Sequence, residues 1–132
     1  MEVNISNNDS ILTSIKKLMG LTEEYDAFDQ DILILINSVL FELEQIGVKA
    51  KDGFSLTDKT VVWSDYSDDD RLLNVLKPYI YMKTKLTFDP PTSSGALDSM
   101  NRIIDRFEWR INLYADTGGT VNDWEWIISL RR

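Results

Sequence analysis

Ser93-Ser94-Gly95-Ala96-Leu97-Asp98-Ser99-Met100-Asn101-Arg102-Ile103-Ile104-Asp105-Arg106-Phe107-Glu108-Trp109-Arg110-Ile111-Asn112-Leu113-Tyr114 is the stretch that decides the fold. Its apolar residues Leu97, Met100, Ile104, Phe107, Ile111 and Tyr114 step by 3, 4, 3, 4 and 3. That spacing holds them on one side of an α-helix, whereas a strand would need every second residue. Ser93 or Ser94 offers a side-chain oxygen to the first free amides. A narrow seam of this kind stays soluble only when another helix covers it, so the fold expected is a helical bundle.

Working upstream, Phe88-Asp89-Pro90-Pro91-Thr92-Ser93-Ser94-Gly95 forces a break. Pro90 holds Asp89 extended, and two successive prolines cannot continue a helix, so Asp89, Pro90 and Pro91 form a structural turn. Before it, Leu72, Leu73, Leu76, Tyr79, Ile80, Lys83 and Leu86 mark a helix opened by Asp68, Asp69 and Asp70. Carboxylates suit the positive end of a helix dipole. Pro78 is expected to kink this helix or to mark its true first turn. The short turn makes the two helices antiparallel neighbours.

Residues 48–67 lose periodicity and read as a long central loop, with at most a short extended piece at Thr60-Val61-Val62-Trp63. Ahead of the loop, Phe28, Ile32, Leu35, Ile36, Val39, Leu40, Leu43 and Ile46 predict a helix opening in Glu23-Glu24-Tyr25-Asp26 and ending at Gly47. Leu33 and Ile34 widen its stripe, which predicts a helix covered on several sides and central to the core. Ile11, Leu12, Ile15, Leu18 and Met19 predict a first short helix, capped by Asp9 or Ser10 and stopped by Gly20. The fold class is therefore all-α: a compact bundle of about four helices with a long central loop and an extended C-terminal tail. Residues 1–116 form the helical domain, and residues 117–132 form a tail hinged at Gly118-Gly119. In that tail Trp124, Trp126, Ile128 and Leu130 fall two apart, a strand pattern. An exposed apolar strand of this sort is an edge that takes a partner.

The chain has 132 residues, no Cys and no His, which removes zinc fingers, haem and Fe–S ligation, thiol nucleophiles and every Ser-His or Cys-His mechanism. Net charge is −8, from 22 acidic and 14 basic residues, which opposes binding to phosphate backbones and anionic membranes. The charge is uneven: residues 1–66 carry 12 acidic and 5 basic side chains, residues 67–132 carry 10 and 9. Met1-Glu2-Val3-Asn4 lacks the pattern of a secretory leader, so a cytoplasmic protein is expected, and Ile32 to Ile46 is too often interrupted by polar residues to cross a membrane.

Catalytic, cofactor-binding and metal-ligating residues are all expected to be absent. Asp65, Ser67 and Asp69 are spaced like a calcium loop, but Asp70 stands where the turn glycine belongs and Leu76 where the bidentate Glu belongs. Asp26, Asp29 and Asp31 could divide acid and base work only in unlike environments, and solvated helix-start residues are the plainer reading. The six glycines form no phosphate loop. The candidate contact residues are Arg102, Arg106 and Arg110, at i, i+4 and i+8 off the apolar seam, with Trp109 beside them, and Trp124, Trp126, Ile128 and Leu130 in the tail. A solvated face with Asp98 paired to Arg102 competes with the contact reading. If the arginines make a contact, the acidic first half of a second copy is the natural partner.

Three segments resemble one known family: Leu72-Leu73-Asn74-Val75-Leu76-Lys77-Pro78-Tyr79-Ile80-Tyr81-Met82-Lys83, then Leu86-Thr87-Phe88-Asp89-Pro90-Pro91-Thr92-Ser93-Ser94, then Ile104-Asp105-Arg106-Phe107-Glu108-Trp109-Arg110-Ile111-Asn112. Together with Ile36-Asn37-Ser38-Val39, Gly47-Val48 and Gly53-Phe54-Ser55-Leu56, they are similar to the head-tail connector, or adaptor, proteins of tailed bacteriophages and prophages of Gram-positive hosts. The resemblance runs from about Ser10 to Asp116, and the Phe-Asp-Pro-Pro-Thr-Ser-Ser turn is its most specific piece. It implies an α-helical, non-enzymatic subunit that forms a dodecameric ring under the portal protein, extends the DNA channel and joins the filled head to the tail. The implied partners are further copies of the chain, the portal, and a tail-side stopper or tail-completion protein, with DNA only passing through and no membrane. The implied location is the virion neck, reached from the host cytoplasm during assembly. The reading from another class is a small cytosolic interaction module that binds one host or phage protein.

Overall fold

The computed structural model describes residues 5–118. Five helices follow in order: α1 (Ile11–Leu18), α2 (Asp29–Gln45), α3 (Trp63–Tyr66), α4 (Asp70–Phe88) and α5 (Ser94–Asp116). Among the described residues there is no strand, only an isolated antiparallel bridge between Ser10 and Val62. The all-α expectation holds, with four longer helices and the single turn of α3 added. The expected tail strand lies outside the described residues.

The hub is α4, which packs against α1, α2 and α5. Leu72, Leu73, Leu76, Tyr79, Ile80 and Met82 are all buried, more of its circumference than one stripe. The sequence pattern gave that central place to α2. Instead α2 buries Ile32, Leu33, Ile36, Val39 and Leu43 and leaves Ile34 63% and Phe41 61% exposed. Apolar side chains all round a helix permit burial on every side, but only neighbours can supply it.

Asp69 caps α4, its Oδ1 accepting from the amides of Arg71 at 3.1 Å and Leu72 at 3.3 Å. The helix runs through Pro78, which therefore marks no first turn. Proline costs the bond that Asn74 carbonyl would accept, and Asn74 is exposed, where water replaces the donor. After Asp89 the chain reverses, Ser93 Oγ accepts from Ala96 N at 3.2 Å, and α5 returns along α4. Tyr79 reaches Glu108 and Asp69 reaches Tyr114, so the numbers rise on α5 as they fall on α4 and the pair is antiparallel. The α5 seam is buried at Ile104 and Ile111 and half-buried at Leu97, Met100, Phe107 and Tyr114.

Two departures concern polar groups. The Glu23 to Asp26 segment is turns, not the start of α2, which begins at Asp29. The reason is Lys16: buried on α1, it donates to the Glu23 carbonyl at 3.1 Å and pairs with Asp29 Oδ1 at 2.9 Å. A buried ammonium must be surrounded by acceptors, and an unwound segment brings them to it. The central loop is also more than a connection. Val48, Leu56, Trp63 and Tyr66 are core residues, and Trp63 Nε1 donates to Ser14 Oγ at 3.0 Å. Lys77 lies beside that indole, 6.0 Å from the ring, donating to Asn7 Oδ1 at 2.6 Å and to the Ile5 carbonyl at 3.2 Å. Burial pulls its pKa down.

Candidate assembly surface

The outer side of α5 follows from its seam. With about 100° per residue, the side chains opposite the buried stripe are Arg102, Arg106 and Trp109. Arg102 and Arg106 are exposed and Trp109 is 45% exposed. Arg110 sits at the edge, half-buried, with its guanidinium 5.3 Å from the Phe107 ring centre. Its Nε is buried with no hydrogen-bond partner among the described residues. Burial, and then the neighbouring Arg106, lower its pKa. The expected Asp98–Arg102 pair is not formed: Arg102 donates instead to Ser99 Oγ at 3.4 Å. The stripe thus keeps its charge available, as a contact surface requires.

One flank of α5 is committed internally. Glu108 accepts from the Tyr79 hydroxyl at 3.0 Å and lies 4.0 Å from Lys83, which also pairs with Glu42 of α2 at 3.3 Å. Lys83 therefore ties α2 and α5 together across α4. Burial, followed by the Glu108 charge, raises the pKa of Tyr79 well above that of a free tyrosine.

At the far end of the helix pair, Tyr114 donates to Asp69 Oδ2 at 2.6 Å. Burial and then this bond push Tyr114 up to about 12. The same bond, with the two helix amides, holds the Asp69 carboxyl below its usual 3.8. The stabilisation from Asp69 is present above pH 3.8 and is lost as pH falls through its lowered value; that from Tyr114 is present below pH 10.0 and is lost as pH rises towards about 12. Tyr114→Phe is expected to lower unfolding stability at neutral pH by about 1 kcal/mol, the bond being partly solvated. Urea titrations at pH 7 and at successively lower pH check this, since the gap between the two proteins should narrow as Asp69 is protonated.

At the junction of α4 with Asp89, Pro90 and Pro91, Asp89 N donates to the Lys85 carbonyl at 2.8 Å, and Lys85 Nζ returns to Asp89 Oδ2 at 3.5 Å. Trp124, Trp126, Ile128 and Leu130 lie outside the described residues. Asp26 and Asp29 line one open hollow of about 310 Å³ with Glu23, Glu24 and Asp58, and Asp29 is occupied by Lys16. Among the described residues no three carboxylates converge as metal ligands.

Sequence reasoning missed the exposed side of α2. Ile34 and Phe41 stand seven apart, off the stripe of Ile36, Val39 and Leu43, and that offset was the available signal. Beside Phe41 an open groove of about 280 Å³ runs between α2 and the loop, lined by Asn37, Glu44, Phe54 and Tyr66 among others. Tyr66 is pushed up to about 12 by burial and by Glu44, and its hydroxyl has no hydrogen-bond partner among the described residues.

The family model for the phage connector protein matches residues 11–118. The chain belongs to that family. The matched segment runs from the first residue of α1 to the turn after α5, so all five helices among the described residues lie inside it. Membership gives it a structural, head-tail connecting role in a tailed-phage particle, at the virion neck, with portal and tail proteins as partners in general. No curated protein and no solved structure matches the connector. Among its described residues no helix is long and apolar enough to cross a membrane.

Proposed function

We propose that this connector assembles as a ring beneath the portal, dodecameric on the particle, extends the DNA channel and receives the tail-side stopper or tail-completion protein. The observation that carries the reading is the family match across the entire helical body rather than over one motif. Charge supports it. A net charge of −8 keeps a channel wall from gripping the phosphate backbone passing through it. The absence of Cys and His agrees with a part that works by contact rather than by chemistry. Residues 117–132, with Trp124, Trp126, Ile128 and Leu130, serve in this reading as an assembly arm beyond the helical domain.

The test is to delete the gene from the phage or prophage that carries it, induce, and image the lysate by electron microscopy. DNA-filled heads and tails accumulating separately are the expected result; normally joined virions would overturn the reading. Complementation with the full chain should restore joining. Complementation with residues 1–118 should not, although that shortened chain keeps its helical circular dichroism. Full rescue by the shortened chain would remove the arm from the assembly and leave the ring reading in place.

A further inference from the structure

A ring requires two different surfaces on opposite sides of one molecule, and the helix geometry supplies a pair. Glu108 marks the side of α5 that faces α2, through Lys83 and Glu42. Arg106 and Arg110 each stand two residues from Glu108, about 160° round the helix from it, and Ile103 about 140°. The edge of α5 turned away from α2 is therefore basic and apolar: Ile103 is 40% exposed, Arg106 is exposed, and Arg110 is half-buried with an unpartnered Nε.

The matching face lies on α2. Glu42 marks its α5 side, and Ile34 and Phe41 project about 80° and 100° round from it, away from the buried stripe. Glu44 lies farther round, about 160° from Glu42, on the side away from α5. It lines the groove beside Phe41 and has no ion pair among the described residues. All four charges on α2 are carboxylates: Asp29, Asp31, Glu42 and Glu44. An Arg edge with no ion pair among the described residues and one exposed Ile thus complements an acidic helix carrying an exposed Ile and Phe. Self-association through a single patch would need both signs on that patch, which neither face has.

We infer that copies of the chain associate head to tail, the Ile103, Arg106 and Arg110 edge of α5 seating on Ile34, Phe41 and Glu44 of the next copy's α2. This rests on the ring reading for its biological setting, but its test reads only the geometry between copies.

The chain holds no cysteine, so introduced thiols report without background. Ser38→Cys and Ser99→Cys are both at exposed sites one turn from the proposed contacts and leave Ile34, Phe41 and Ile103 in place, and unchanged helical circular dichroism confirms that each variant folds. The purified full-length double variant, oxidised at high concentration, should give a ladder of disulfide-linked dimers, trimers and higher species. Each single variant alone should stay monomeric, and the two mixed should stop at a dimer. Reversing one charge in the double variant, by Arg106→Glu or Glu44→Arg, should cut the ladder at least several-fold, and both reversals together should restore it. A control pair, Asp52→Cys with Thr87→Cys, sets the level of random collision, both positions being exposed. A ladder no stronger than the control, or dimers from a single variant alone, overturns the head-to-tail pairing. Neither result would touch the gene-deletion outcome, so failure of the pairing and failure of the connector role are told apart.

Discussion

Trp63→Ala is expected to destabilise the connector by about 4 kcal/mol, the range for truncating a large buried aromatic. Trp63 is 1% exposed and lies where the central loop meets α1. Three links converge there. Its indole donates to Ser14 Oγ, Ile11 N donates to the Val61 carbonyl at 3.0 Å, and Trp63 N reaches the Asp9 carbonyl at 3.3 Å. Losing the ring opens a cavity, leaves Ser14 with one partner fewer, and uncovers the aliphatic stem of Lys77. Since domains are stable by only about 5–15 kcal/mol, the variant should unfold at a much lower urea concentration. Trp63→Phe should lose less, about 2 kcal/mol, because it keeps most of the volume and forfeits the hydrogen bond. A loss below about 1 kcal/mol for Trp63→Ala would show that the loop contributes little to the core.

Lys16→Ala is expected to cost about 3 kcal/mol, the effect of removing one member of a buried ion pair. Its side chain is 2% exposed, that of Asp29 22%. Without the ammonium, Asp29 keeps only water and the start of α2 for its charge, and the Glu23 carbonyl loses its donor. Lys16→Met combined with Asp29→Asn should recover a large part of the loss, because it refills the volume and removes the stranded charge. Thermal unfolding of the three proteins decides this. If Lys16→Ala alone matched the native chain, the turns at Glu23 to Asp26 would need another reason to displace the start of α2.

These two side chains mark where the sequence stops being legible. The α5 seam, the Pro-Pro turn, the caps at Ser10, Asp69 and Ser93 and the glycine stop at Gly20 are local matters, and local chemistry decides them: period, a hydroxyl or carboxylate before a helix, a residue free to take positive φ. The start of α2 was misplaced because a carboxylate suits a helix N-terminus wherever it occurs, and only the buried Lys16 says which acidic residue begins the helix. Trp63 fell in a segment without periodicity, and a core residue in a loop leaves no periodic trace. Arg102, Arg106, Trp109 and Arg110 were legible as a face because they lie off a clean seam. Ile34 and Phe41 were legible only as lying off the stripe of α2, since an all-round apolar helix looks the same whether that side is covered or waiting to be.

By itself, then, the sequence determined an all-α chain, its α4–turn–α5 hairpin, the acidic balance and the family. Each of these depends on neighbours along the chain or on composition. The tertiary structure alone decided that α4 and not α2 is the hub, that the central loop belongs to the core, and that Ile34 and Phe41 of α2 stay bare. Those are relations between residues far apart in sequence, fixed by which surfaces meet when the helices pack, and no local pattern encodes them.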